Sequence, residues 1–516
     1  MAQNSTTNTS TPFWTSNPTE ASGRDPLAIQ NSSVVIYTNM VVGITNVTNR
    51  VRYVGFYCWL FEAITHKVAK TNSLKEQQLY LRRAELLLAY LYVYIEEFKG
   101  VTGISGTNFA LTHTADKLRL DKGADKVKGA TSLYWKFGMG VFGQYYSGAM
   151  RDLGLITHPL EEIQIYVPTD KGIQLAQAYN HNIPAQAKEL FIKSIFSGSI
   201  EAEQMQELAA FALHSIPAKS EEQQLYKDIL LSADYPPYNE SFHRRVTIYM
   251  LLNLLKNKPE GIEVLMGEFL RVNYEKHNEI TDLEDNTATA WYVYELNELL
   301  HVSFEHFHAA FQYSIAISPT SMPYTISQLV EAALEKFGVG NTKSIGDLIE
   351  IEDISKTYRY FLDMLASYRK DWGTCLSNAI HTIMSVYKQC QSQKEAIYKI
   401  STHPDNNYAR PGYALEMMHD LVDSKLQLTV EEYCKQILLL AINQHMFSSY
   451  QKSRIGQGLV HNYIIEDNMA WRLRDTSPGR TSPRLQNMIQ YLCDIGLIVK
   501  ENDRYLITEA GLKVIA

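Results

Sequence analysis

A mainly α-helical, irregular multi-helix protein carrying two small α+β modules is the fold class that the sequence predicts. Apolar residues recur at helical spacing through most of the 516 residues. No run of alternating strand pattern interrupts positions 185–450, and one ordered pattern of turn and strand residues occurs twice. The length calls for more than one core, since single cores stop growing well below it. Hydrophobic residues at 45% and charged residues at 20% belong to an ordinary folded chain. A net charge of −8 argues against a protein that coats nucleic acid indiscriminately.

Taken in order, residues 1–30 read as a flexible arm, in which Phe13, Trp14 and Asp25-Pro-Leu-Ala-Ile are short anchors able to dock on a core. Residues 31–100 read as a helical hairpin, its first helix capped at Thr48 and its second running over 73–98. Module 1 spans 101–184. The central region, 185–450, is predicted all helical over 185–197, 201–215, 219–233, 240–256, 261–275, 287–315, 324–337, 354–371, 374–391, 413–427 and 429–446. Breaks are expected at Pro236-Pro237, Pro319 to Pro323 and Pro404 to Pro411, because proline removes a backbone donor. Module 2 spans 451–516.

The repeated pattern carries the functional reading. Asp152-Leu-Gly-Leu-Ile156 is followed by Tyr166-Val-Pro-Thr169-Asp-Lys-Gly172-Ile-Gln-Leu175, and Asp494-Ile-Gly-Leu-Ile498 by Tyr505-Leu-Ile-Thr508-Glu-Ala-Gly511-Leu-Lys-Val514. A helix ends at the Asp, the glycine turns left-handed, and Leu-Ile opens a strand. After a polar hairpin tip the return strand ends at a threonine that caps the next helix, with Asp170 or Glu509 in its positive first turn. In this order the pattern resembles the recognition helix, wing and following helix of winged helix-turn-helix domains. The resemblance covers about 70 residues at 105–180 and about 60 at 455–516.

What it implies is docking to duplex DNA or to a protein partner in a multi-subunit complex. In module 2, Ser482-Pro483 is read as cap and first residue of a helix bearing Arg484, Gln486 and Asn487. Arg472, Arg474 and Arg480 lie upstream, and Lys500 and Arg504 on the wing. In module 1 the second helix, 139–153, offers Gln144, Tyr145, Tyr146, Ser147 and Arg151, and its Gly140, Gly143 and Gly148 suit close packing on a partner. The approach to it carries Lys117, Arg119, Lys122, Lys126, Lys128 and Lys136 against Asp116, Asp121 and Asp125.

Catalytic signals are sparse, and none leads to an assigned catalytic, cofactor or metal residue. Glu298-Leu-Leu-His301 and Glu416-Met-Met-His419 match a di-iron spacing that chance also supplies, and Glu298, His301, Glu305, His306 and His308 read as one polar or partly buried helix face. Arg271 to His277 and Arg454 to His461 fit the long end of the spacing of helical HEPN-class ribonucleases. Asn46, Asn49, Arg50 and Arg52 sit at a helix start suited to an anion or to capping and salt bridges. The Gly43–Tyr53 segment resembles large prokaryotic proteins from phage-defence gene clusters. Cys58, Cys375, Cys390, Cys434 and Cys493 show no pairing pattern, and there is neither a signal peptide nor a membrane-length apolar run, so a cytoplasmic protein is expected. The expectation is therefore a non-enzymatic DNA-associated component of a prokaryotic complex, of the kind that restricts foreign DNA. The alternatives are a kleisin-like subunit of an SMC-type complex and a helical nuclease with winged-helix recognition.

Overall fold

A computed structural model describes residues 25–45, 47, 50–126, 132–157, 164–232, 240–277, 286–316, 324–337, 343–394, 397, 418, 421–454 and 460–516. The three proline breaks, Phe13, Trp14, Asn46, Asn49, Lys128, the Glu416–His419 pair and most of the predicted helix 413–427 lie outside them. The described residues are mainly helical, with small antiparallel sheets. Packing divides the chain into two discontinuous units. The first comprises Thr38–Phe269 with Ser482–Ala516, the second Met1–Tyr37 with Leu270–Thr481. The stretch read as module 2 is thus shared between units, its part up to Thr481 belonging to the second.

In the first unit the helical hairpin is Arg52–Val68 and Leu74–Tyr94. Ser73 caps the second helix by accepting from Glu76 N–H. The first helix begins at Arg52; the expected cap, Thr48, lies outside the described residues, and the residues at the observed start are held from outside the helix. Val51 N–H donates to the Asp494 carboxylate at 3.2 Å, and Arg50 pairs with the same group at 2.9 Å. Arg52, fully buried, binds Glu222 at 2.8 Å and the carbonyls of Ala210 and Ala212. The predicted helices 185–197, 219–233 and 240–256 appear as Ala185–Ser197, Glu221–Leu231 and Glu240–Lys256. The stretch 201–215 is instead a tight 3-10 helix, Ala202–Phe211. Its buried residues Met205, Leu208 and Phe211 repeat every third position, which is that helix's period. Lys117–Arg119 forms an unexpected strand with Ser199–Glu201, each turning one apolar residue, Leu118 or Ile200, inward.

Both copies of the repeated pattern lie in this unit and share one set of backbone bonds. Helices Ser147–Asp152 and Leu485–Asp494 are followed by Gly154 at φ 69° and Gly496 at φ 74°. Leu155 N–H returns to Met150 O and Leu497 N–H to Leu492 O, each at 2.9 Å, which closes the helix end. Strands Ile498–Glu501 and Arg504–Ile507 pair in full. In the first copy Ile156 bridges Pro168, and Thr157 N–H reaches Val167 O at 2.9 Å; the tip, 158–163, lies outside the described residues. Thr169 and Thr508 then cap helices Asp170–His181 and Glu509–Val514 by accepting from Gly172 and Gly511 N–H. Each threonine hydroxyl also donates back to the helix-stopping glycine's carbonyl, at 2.7 and 2.8 Å.

The second unit is organised on the 31-residue helix Asn286–Ala316, which packs against helices Trp372–Ser392 and Val430–Arg454. The expected anchor is docked: Leu27 and Ile29 are buried, and Gln444 and His445 on the last of these helices bind the carbonyls of Leu27 and Pro26. Strands Tyr463–Glu466 and Met469–Arg472 form a hairpin extended by Tyr324–Thr325. A helix absent from the sequence reading, Ile345–Ile351, is started by a Ser344/Asp347 capping box.

The second glycine of each copy explains its own residue type. A Cβ on Gly172 would lie 2.1 Å from Leu155 O, and one on Gly511 2.2 Å from Leu497 O, against backbone that cannot move aside. Gly172→Ala and Gly511→Ala are each expected to cost about 2–3 kcal/mol in urea unfolding. Gly148→Ala, in a helix with nothing within 4 Å of the new methyl, is expected to be neutral or to stabilise by up to about 1 kcal/mol. Equal effects at the three positions would refute this reading of the repeat.

Candidate functional site

Residues expected to face DNA in the C-terminal copy are committed to the protein itself. Helix Leu485–Asp494 starts two residues later than expected, behind Arg484 in the left-handed region at φ 58°, and Ser482 is exposed without capping it. Arg484 turns its guanidinium inward to Ile44 O at 3.0 Å, and Asn487 donates to Thr45 O at 2.7 Å. Gln486 donates to the Tyr505 hydroxyl, Lys500 pairs with Asp503 at 3.1 Å across the hairpin tip, and Arg504 binds Glu260 O at 2.9 Å and Glu263 at 3.0 Å. Asp494, whose pKa burial raises to about 6 against the opposing charge of Arg50, completes the attachment to residues 50–51. The helix start that resembled a groove reader grips Ile44 and Thr45 of its own unit, and the helix end grips Arg50 and Val51.

The upstream arginines belong to the second unit. Arg472 pairs with Asp475, and Arg474 is part-buried, its pKa lowered by desolvation. Arg480 forms an ion pair with Glu295 and lies 3.8 Å from Glu298, both of whose side chains have no or almost no exposed surface. It sits in a seam in which one face of the long helix holds the segment Thr476–Thr481 through polar side chains. Glu298 accepts from the Thr481 N–H and hydroxyl at 2.8 and 2.7 Å, and the His301 ring contacts Gly479 O at 3.2 Å. Glu305 accepts from Gly479 N–H at 3.0 Å, and Gln312 from Thr476 N–H at 2.9 Å. Residues 298, 301, 305, 308 and 312 follow helical spacing, so the polar face read from sequence is a buried docking stripe.

Burial raises the Glu305 pKa to about 7. At His301 burial works downward, but the charges of Glu298 and Glu305 outweigh it and raise the pKa. Farther along, His308 and His445 pack on the Tyr463 ring, His461 meets His445 edge-on, and burial lowers the pKa of each imidazole. Glu298 and His301 are within 3.4 Å of each other. No group of three acidic, histidine or cysteine side chains among the described residues is arranged to hold a metal ion. Arg271 pairs with Glu275 on its own helix. All five cysteines are free thiols, four of them buried, and no helix among the described residues is long and apolar enough to cross a membrane.

Module 1 differs. Its second helix runs over 140–152, with Phe142–Tyr146 wound as a π-helix, a form found mostly as single turns inside α-helices and frequent at functional sites. Gly140 and Gly143 are used inside the protein, the first against Glu85 and Tyr134 and the second against Met139 and Phe137. Gln144, Gly148 and Arg151 share one outward face at helical spacing. Gln144 accepts from Trp135 Nε1 at 2.8 Å, which leaves its amide nitrogen without a partner among the described residues. Arg151 uses only Nε, toward Ser147 O at 3.4 Å. Of the basic approach residues, Lys117 pairs with Glu201 and Arg119 with Asp121.

Sequence reasoning passed over Trp135 and Phe137, which flank this face. Their signal was present as Tyr134-Trp-Lys-Phe137-Gly, three aromatic residues in a stretch that is neither helix nor strand. No family's sequence profile matches the chain, and no curated protein and no solved structure is significantly similar to it.

Arg480→Ala leaves two buried carboxylates without their counter-ion and is expected to cost about 3 kcal/mol or more in chemical denaturation. A residue held in reserve for phosphate would cost almost nothing. Glu305 binds its proton more tightly folded than unfolded, so its contribution to stability falls as pH rises from about 4.5 to about 7; the raised His301 pKa acts in the same direction. Glu305→Gln is therefore expected to gain on the wild type by on the order of 2 kcal/mol between about pH 5 and pH 8. An unchanged difference between the two would contradict the assignment.

Proposed function

We propose that the two helix–hairpin–helix modules are winged helices and that the first docks duplex DNA, as part of a non-enzymatic complex acting on DNA. One observation carries this reading. Gln144 and Arg151, seven residues apart on one exposed helix face, keep hydrogen-bond donors free of the described residues, whereas the C-terminal helix start spends Arg484, Gln486 and Asn487 internally. An amide and a guanidinium on one helix face suit adenine and guanine edges in the major groove. Gly148 between them adds no side chain that would hold the backbone away. Asp152, at the far end, is the only acid in the run 140–152.

The C-terminal module, by the same argument, is a clasp: it brings the end of the chain back onto residues 44–51 and 260–263. A protein partner on the Gln144–Arg151 face is the second reading, supported by the exposed aromatic residue Phe137 beside it, since interface cores favour aromatic residues and arginine.

Fluorescence anisotropy with labelled duplex DNA across a salt series tests the proposal. Arg151→Ala and Gln144→Ala are each expected to weaken binding about tenfold, whereas Arg472→Ala and Lys500→Ala leave it within about twofold. Wild-type binding is expected to weaken steeply with salt. A response flat with salt, or equal losses in all four variants, would remove module 1 from the DNA.

A further inference from the structure

Two side chains on the helix Leu74–Tyr94 fix the loop that precedes the Gln144–Arg151 face. Arg82, fully buried, donates to the carbonyls of Ala124 and Phe137, each at 2.6 Å, and of Trp135 at 2.9 Å. Glu85, three residues on and equally buried, accepts from the Tyr134 hydroxyl and from Val141 and Phe142 N–H at 2.9 and 2.8 Å. A guanidinium and a carboxylate taken out of water are tolerated only with such partners, and breaking any one of these bonds exposes a buried charge. The loop is therefore rigid although it lies at the surface. What it holds outward is Phe137, 49% exposed, with the half-buried indole of Trp135 beside it.

Phe137 is seated on Gly143: a Cβ there would come within 3.1 Å of its Cε1, so the missing side chain makes room for the ring edge. Trp135 is tied to Gln144 by its indole N–H and meets Tyr145 edge-on at 6.0 Å. Lys136 lies between the two rings in sequence, exposed. An aromatic shelf with a cation at its rim thus adjoins the Gln144 end of the helix face. Arg151 stands at the other end, about 10 Å further along the axis at 1.5 Å per residue.

Large apolar rings are normally turned inward, and here two buried charges are spent on turning them out. Rigid aromatic faces beside a basic side chain are the chemistry on which unpaired bases stack, since every base has a π-face and its phosphate needs a cation. Base-paired steps within a duplex offer no free base face along the groove. We infer that this shelf, Trp135 and Phe137, receives an unpaired nucleotide, so that the preferred ligand is a duplex continued by a single strand. The inference rests on the DNA-docking reading of the adjacent helix face and adds to it a substrate class.

The test uses the full-length protein, with anisotropy measured on a short blunt duplex, the same duplex carrying a single-stranded oligothymidine overhang, and the overhang strand alone. The overhang duplex is expected to bind at least about fivefold tighter than the blunt one. Phe137→Ala is expected to abolish that difference while leaving blunt-duplex affinity unchanged, and Phe137→Trp, which restores a stacking face, to retain it. A thermal melt of each variant confirms that the loop has not collapsed the unit. Equal affinity for blunt and overhang duplexes, both lost in Arg151→Ala, would overturn the shelf and leave DNA docking standing. Binding to no DNA at all would overturn both, and would point to a protein on this face.

Discussion

A guanidinium carried into a protein interior must find an acceptor for nearly every N–H it keeps, and this constraint shapes both units. In the first unit Arg52, Arg82 and Arg244 are almost wholly buried, and each gathers carbonyls from segments distant in sequence: Ala210 and Ala212, Ala124 and Phe137, Leu230 and Val42. In the second unit Arg480 does the same work with carboxylates. Hydrophobic burial is non-directional and would accept many arrangements of these helices. The arginines are directional, and they select which loop lies against which helix. An irregular stretch such as 132–139, which lacks ladders or helical bonds of its own, takes its shape from these side chains.

The same constraint shows why a basic cluster in a sequence does not by itself mark a DNA contact. A cluster of basic residues in a sequence looks like a phosphate-binding face, but a phosphate and a buried carbonyl or carboxylate make the same demand on the side chain. Arg480, Arg484 and Arg504 answer to internal acceptors, and nothing in their immediate sequence reveals it, because Glu295, Ile44 and Glu260 are distant in the chain. Long-range pairing is what a one-dimensional pattern omits.

Local chemistry, by contrast, was fully legible. The left-handed glycine, the threonine cap and the close-packed second glycine lie within about twenty residues of one another in each copy, and their bonds are made within the motif. Helices such as Ala185–Ser197 and Glu240–Lys256 were equally plain, since amphipathic periodicity is also local. The failures fall where structure is decided from outside. The 3-10 helix Ala202–Phe211 has carbonyls at its end claimed by Arg52. Strand Lys117–Arg119 exists through Ser199–Glu201, and the start of helix Arg52–Val68 is set by Asp494. Glu298, His301 and Glu305 were correctly seen as one face, but the segment that covers it, Thr476–Thr481, has no helical or strand pattern to announce itself.

Two copies of one local design can serve opposite ends because the hairpin and caps hold the fold while the preceding helix face is free to vary. In the C-terminal copy, taking Arg484, Asn487 and Arg504 away from Ile44, Thr45 and Glu260 would forfeit hydrogen bonds worth about 0.5–1.5 kcal/mol each. A phosphate or base edge returns bonds of the same order, so exchange brings little net affinity and loosens the attachment of the chain end. In the first copy Gln144 and Arg151 give up nothing of that kind on binding, and the loop beside them is already ordered by Arg82 and Glu85. A ligand there is spared the cost of ordering the surface that receives it, and that cost more than contact area separates weak from tight association.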